Sequence, residues 1–493
     1  MSNDSKSPTS RLRRDLGTLE SYATLIGILI GAGIFQVTSR AWEITGPSVI
    51  LGYAILTPAI LATAVPYAAY LSTPLGHEPG GEYLHISRTL GGYRLAYVGA
   101  WLKIISYIGA GAYLANAMAG YLIELSGGRI DAERFQLPLA LAALVVFYLI
   151  HVIGIRWFGR MQVIMSALKC LALLVLIVPG LFVLRFENYT PFFTHGLSGF
   201  AVSLLPLFFA YAGFESIAQT AGEVKDSTRR LPRILVRGIT ITALIYVFTS
   251  IVSFGVLPGG QLQASNAPMA KVASIYLPAG AAVFVTIGAI AAIMTALNGT
   301  LLVPSRLAIM FVKDGLAPRW LGVINATTAT PIRGLTLTLL CSAILLASGQ
   351  LSLALNVAVF ALVVLYFIHS LVFLLLPRRN AALASEIEIN LPWRAPQVAA
   401  IVSIVSMGVM ILIQLRQDVE VLRTSSLSQR ISDHSLTSIE LVLIWGIVGL
   451  VLYQLARMQR RKSIAKADAP HHGETTTPEG VPYHNPDDWG NAD

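Results

Sequence analysis

The residues of this chain that could do chemistry are glycine pairs and lone charges set inside long apolar runs, where both are out of place. Gly31, Ala32, Gly33, Ile34 and Phe35 read GAGIF, with Gly27 a turn earlier. Glycines let a helix unwind. An unwound turn leaves backbone N–H groups unpaired, and the half-helix that follows points its positive dipole end at the same spot, which together suit a carboxylate. Close helix packing through small side chains accounts for the same pattern, and GAGIF alone leaves both readings open. A second interruption runs from Phe208 to Glu215, FFAYAGFE, through Ala210, Tyr211 and Gly213, with Pro206 just before it. Pro206 removes one N–H, and Gly213 lowers the cost of leaving the helix. Lys169, Lys103 and Glu215 are ionisable groups in apolar surroundings, where a charge must be paired or hydrogen-bonded. Glu215 is a candidate proton site or partner for a cation, with a helix cap or structural ion pair as the plain alternative. No apolar run carries paired carboxylates, a His-Glu metal motif or a Ser-Lys dyad at helical spacing, so neither an enzyme nor a cofactor or metal site is expected.

The elements that position these groups follow from composition. Of 493 residues, 55% are hydrophobic and only 12% charged, against roughly 25% charged in a soluble chain; the mean hydropathy is +0.67. A crossing helix needs about 20 mostly apolar residues. By that rule twelve spans are expected, at 18–42, 47–73, 95–124, 136–155, 161–185, 197–221, 234–257, 276–312, 335–348, 352–376, 397–415 and 436–456. The eighth is long enough to run past the membrane, and the ninth is short. The net charge of +9 invites a nucleic-acid partner, but the Lys and Arg residues gather overwhelmingly in alternate loops. That is the positive-inside signature, so both termini are expected in the cytoplasm, in a multi-pass cell-membrane protein with no nucleic-acid partner. Residues 1–17 read as a polar tail without an apolar signal segment. Residues 463–493 read as a disordered cytoplasmic tail, whose His471 and His472 have no fixed geometry for a metal. Cys170 and Cys341 lie in apolar runs and make no disulfide framework.

The two interruptions fall in the first and sixth spans, five apart. Broken helices at matching places in two halves are the best sequence pointer to a transporter's substrate site. The halves would be 18–185 and 197–377, of opposite topology because five is odd, followed by two further spans at 397–456. The segment Pro74 to Arg88, PLGHEPGGEYLHISR, is too polar to span and is expected as a short amphipathic or re-entrant piece.

Four motifs in order, GAGIF, PGGEY, FFAYAGFES with AGEVKDSTRRLPR, and VPSRLAIMFVKDGLAPRW, resemble the amino acid-polyamine-organocation superfamily of permeases over residues 16 to about 377. The branch most similar is that of bacterial permeases related to cationic amino acid transporters. The resemblance implies an all-α integral membrane fold of twelve helices, a LeuT-type five-plus-five inverted repeat with broken first and sixth helices. It implies alternating access, with an amino acid carboxylate on the N–H groups of Gly31 to Ile34 and its side chain against Phe208 to Glu215. It further implies that Lys169 stands where sodium-coupled relatives hold a sodium ion, touching a carbonyl near Gly27 to Gly31 and a hydroxyl such as that of Thr295. Snorkelling to the interface is the other reading of Lys169. Glu223 would pair a basic group as a cytoplasmic gate. Where the cationic branch carries Glu, this chain has Ser106, which puts proton coupling through that position in doubt. The expectation is a permease moving amino acids with protons or by exchange; a sodium symporter, a polyamine antiporter and a permease-like sensor are the alternatives.

Overall fold

The computed structural model describes residues 12–467, apart from 32, 128, 259–260, 262–267, 350, 390, 393 and 433–435. Among the described residues, eleven helices are long and apolar enough to cross a membrane. The ninth expected span is a helix too, Ile332–Ala347, with 16 residues; at 1.5 Å per residue it is roughly 24 Å long, short of the roughly 30 Å hydrocarbon core.

In chain order, α1 (Thr18–Leu29) and α2 (Thr38–Thr45) make the first span, joined through a wide helical turn, Gly33–Val37. Then come α3 (Val49–Leu71), α4 (Glu82–Leu90), α5 (Arg94–Leu125), α6 (Ala132–Ile153) and α7 (Ile155–Gly180). The sixth span is α8 (Gly196–Tyr211) followed by a tight 3₁₀ stretch, Phe214–Glu223. The second half continues with α9 (Ser227–Val256), α10 (Pro268–Tyr276), α11 (Ala279–Lys313), α12 (Ile332–Ala347) and α13 (Leu351–Arg379). After the short α14 (Ala381–Ser385) come α15 (Ala395–Thr424), the short α16 (Leu427–Ser432) and α17 (Ser438–Ala467). Both expected breaks are therefore present, the second at Ala212 and Gly213 rather than from Phe208, because α8 runs unbroken through Pro206 to Tyr211; the eighth span is a single 35-residue helix. The expected 463–493 tail begins inside α17, and its remainder, with His471 and His472, lies outside the described residues.

The interior is built around α5, which packs along both α11 and α13, while α3 lies along α9 and α7 along α11. These are the helices that must hold the breaks, and α5, α9, α11 and α13 are mostly buried, while α3 and α7 keep one face outward. In contrast, α15 and α17 present Val398, Val405, Leu412, Leu443 and Ile447 more than half exposed, an apolar face that lipid accepts without cost. Helix α17 is fixed to α5 by an indole pair: Trp101 and Trp445 stack at 4.5 Å, and each donates its N–H to the other's carbonyl, at 2.9 and 2.8 Å.

Pro74 to Arg88 forms a 3₁₀ turn and then α4, tucked under the bundle rather than crossing it. Gly81 allows this, at φ +46°, where a Cβ would meet the Gln219 amide at 2.7 Å. The turn delivers Glu82, the first residue of α4, into the protein interior. The end of the N-terminal segment is also tied down. Leu16 donates to the Glu223 carbonyl and accepts from Lys225 N, both at 3.0 Å, and Asp15 pairs with Arg156 at 2.9 Å.

Candidate functional site

A cavity lies where the two breaks meet. It is lined by Gly31 and Gly33 of the first break, Ala212 and Gly213 of the sixth span, Ser106 and Tyr107 of α5, Ala296 and Thr300 of α11, Leu362 of α13, and Ile28, Leu29, Ala110, Leu114 and Phe209. The first break brings the chain very close to the second: a Cβ at Gly33 would lie 2.6 Å from Cα of Ala210, so only glycine lets the segments approach. Gly213 takes φ +103°, which turns the chain out of α8 and into the tight stretch that follows.

Of the sequence-predicted residues, Gly31, Gly33 and Gly213 line the cavity. Ile34, Phe208, Ala210 and Tyr211 are fully buried beside the breaks without lining it; Ala32 lies outside the described residues. The Tyr211 hydroxyl bonds Thr57 at 2.9 Å and the Tyr53 carbonyl at 3.2 Å, and the Phe208 ring packs on Tyr366. These two side chains hold the sixth span against α3 and α13.

The end of α1 explains Lys169. A helix leaves its last carbonyls without backbone donors, and the unwound turn prolongs that deficit. The fully buried Lys169 ammonium donates to the carbonyls of Ile26 at 3.0 Å, Gly27 at 2.9 Å and Ile30 at 2.8 Å, and to the Thr295 hydroxyl at 2.9 Å. A cation on the negative end of a helix, ringed by oxygens, has the surroundings that a bound alkali ion requires. Snorkelling is excluded by this geometry, since all the ammonium's contacts are interior.

Tyr246 of α9 was not visible as a site residue in the sequence. Its hydroxyl lies within hydrogen-bond distance of the Leu29 carbonyl at the first break and, at 2.6 Å, of the Ala210 carbonyl at the second.

Glu215 opens the 3₁₀ stretch. It accepts from the Gly213 N–H at 3.1 Å, from the Tyr107 hydroxyl at 2.6 Å and from the Tyr366 hydroxyl, with the Lys103 ammonium 3.8 Å away. Lys103 itself donates to both oxygens of Glu82 at 2.8 Å. The Ser106 hydroxyl donates to the Ala358 carbonyl at 2.8 Å. His151 bonds the Asn298 carbonyl at 2.7 Å, and His369 bonds His85 at 3.0 Å, each joining one helix to another.

At the end of the bundle that carries residues 12–17, ion pairs close the structure below the cavity. Glu223 and Arg306 meet at 2.8 Å with both side chains 1% exposed. Asp314 pairs with Arg88 at 3.0 Å, and Lys313 with Glu78 at 2.6 Å. Tyr83 donates to Asp314 at 2.7 Å, and burial, reinforced by that carboxylate, holds its phenol well above the ordinary range.

Comparison with known proteins agrees with this architecture. A methylthioribose transporter of Bacillus subtilis is 25% identical over 349 residues, 68% of this chain and 74% of that protein. A branched-chain amino acid permease of the same organism is 26% identical over 337 residues, 65% of this chain and 71% of the permease. Cationic amino acid transporter 3, mitochondrial, of Arabidopsis thaliana is 27% identical over 367 residues, 70% of this chain but 60% of its own length. The sequence model of the amino acid permease family matches residues 16–427, and the chain therefore belongs to that family, within the superfamily that its four motifs resemble.

Proposed function

We propose that this protein moves amino acids across the cytoplasmic membrane by alternating access, without sodium, driven by a proton gradient or by exchange for a second amino acid. The observation that carries the reading is the Lys169 ammonium seated on three carbonyls of the broken first span and on Thr295 of α11. A lysine there is a resident side chain in the kind of oxygen-lined place that a sodium ion would enter and leave. It couples α7 to the unwound turn and to α11, the contacts that a transport cycle must loosen and remake.

The substrate carboxylate is assigned to the first break, where the stretch from Gly33 begins a new helical segment. The first N–H groups of a helix lack intrahelical partners and carry its positive end. The α-amino group is assigned to carbonyls left over at the two breaks, and the side chain to the cavity wall between α5, α11 and α13. A carboxylate site of this kind favours amino acids over polyamines, which have none. The family's members are transporters rather than enzymes, in keeping with this reading.

The test is uptake of labelled amino acids into liposomes holding the purified protein, in sodium-free buffer, with and without an inward proton gradient and with and without amino acids preloaded inside. Uptake in the wild type and its loss in Lys169→Met, with the variant still folded by thermal melting, is the expected result. Uptake that requires sodium, or a fully active Lys169→Met, would sink the ion-replacing role. A gradient effect identifies proton coupling, and flux seen only with preloading identifies exchange.

A further inference from the structure

Among the described residues two lysines are fully buried, and the reading above uses only Lys169. Lys103 sits on α5, one turn from Ser106 and Tyr107, which line the cavity. Its ammonium does not reach the cavity. It lies on the other side of the Tyr107 ring, 5.5 Å from the centroid, against Glu82 on α4 and Glu215 at the second break.

The acceptors of these two carboxylates are occupied. Glu82 receives both bonds from Lys103, one from the Tyr67 hydroxyl at 2.8 Å and one from the Gln219 amide at 3.4 Å. Glu215 receives the Gly213 N–H and the hydroxyls of Tyr107 and Tyr366. The formal excess of one negative charge in the trio is thus spread over neutral donors. Tyr107 and Gly213 line the cavity and bond Glu215 directly, so this carboxylate stands one hydrogen bond behind the wall. No charged side chain is among the lining residues, and Ser106 turns its proton to a backbone carbonyl.

We propose that Lys103 determines specificity: it is a resident ammonium that holds Glu82 and Glu215 away from the cavity, so that the cavity takes neutral amino acids with apolar side chains and rejects cationic ones. This rests on the transport reading and adds the substrate class. A lysine or arginine side chain entering the cavity would have to give up its hydration with no free carboxylate to meet it, and a buried charge without a partner is strongly disfavoured. An apolar side chain meets Leu114, Phe209 and Leu362 instead, and loses nothing.

The experiment is competition against labelled leucine uptake in liposomes. Unlabelled valine, isoleucine and alanine should compete, whereas lysine and arginine should compete about 100-fold less well or worse. Lys103→Met should lose that discrimination, admitting labelled lysine as leucine uptake falls. Because Lys103→Met strands two carboxylates and can fail to fold, Lys103→Met with Glu82→Gln is measured as well; it leaves Glu215 hydrogen-bonded but without its ammonium neighbour, and should also admit lysine. Lys103→Arg should keep the exclusion. Lysine or arginine uptake equal to that of leucine in the wild type overturns the proposal and leaves the transport reading standing, as does unchanged selectivity in a folded Lys103→Met or double variant. Absence of flux with every amino acid overturns the transport reading and this proposal together.

Discussion

One hydroxyl group joins the two breaks. Tyr246 reaches the Leu29 carbonyl and the Ala210 carbonyl from α9, and its ring is wedged between those of Tyr53 and Tyr211 at 5.1 Å from each. The Ala210 carbonyl lies where α8 ends, beyond the reach of the helix's own donors, and the Leu29 carbonyl, at the end of α1, also accepts from Gly31 N at 2.9 Å. Tyr246→Phe keeps the wedge and removes the bridge. The expected loss of stability is about 1–3 kcal/mol, the range for a buried polar group left without its partner, read as a lower melting temperature in detergent. Uptake should fall by more than the folded fraction does, because under the proposed transport reading the two breaks must keep a fixed distance to form one substrate site. A variant with wild-type uptake would show that the breaks are held by packing alone. Tyr246 had no signal in the sequence, where it stands in an ordinary apolar stretch, ITALIYVFTS. Lys169 had one, because it is a lone charge inside an apolar run and the superfamily resemblance pointed it at the carbonyls of the broken first span.

Helix α11 is the element most dependent on charge, since its last turns carry Arg306 and Lys313, and Asp314 follows. The three residues pair with Glu223, Glu78 and Arg88 respectively, and the pairs differ in burial. Glu223 and Arg306 are each 1% exposed, whereas Lys313 and Glu78 are 26% and 36% exposed. Breaking a buried pair leaves an uncompensated charge and costs about 3–5 kcal/mol, while a solvated pair is worth roughly 0–1 kcal/mol. Arg306→Ala should therefore destabilise the protein strongly and Lys313→Ala hardly at all, as measured by thermal melting. Equal effects would mean that water reaches Glu223. The approximate places of the spans and of both breaks were legible in the sequence, because length, apolarity and glycine act locally; the boundaries were not, since α15 and α17 run on to Thr424 and Ala467, past the expected 415 and 456. The partners of these charges were not: Glu82 meets Lys103, and Arg88 meets Asp314, only because the turn at Gly80 and Gly81 folds α4 back beneath the bundle. Periodicity carries no information on such a tuck. The ninth span was legible as a short one, and the helix there, at 16 residues, falls short of a full crossing.

On the scale of the whole molecule, the two ends of the bundle differ in kind. One end gathers the contacts of Leu16 with Glu223 and Lys225, the Asp15–Arg156 pair and the three pairs around α11. The other is joined by backbone bonds, such as Ser48 N to the Phe192 carbonyl and Arg185 N to the Gly255 carbonyl, together with the Arg430–Glu440 pair that joins α16 to α17. The first end also holds most of the loop Lys and Arg, and positive loops stay in the cytoplasm during insertion. The rule thus predicts that the ion-paired end faces the cytoplasm, with Glu223–Arg306 on the cytoplasmic side of the cavity. This orientation is testable in cells on a background with Cys170 and Cys341 replaced by alanine. Glu187→Cys lies in the exposed loop after α7, and Lys225→Cys lies in the exposed loop before α9. A membrane-impermeant maleimide should label Glu187→Cys in intact cells and Lys225→Cys only after permeabilisation. The reverse pattern would invert the topology, make the ion-paired closure face outward, and assign the positive loops to folding rather than to insertion.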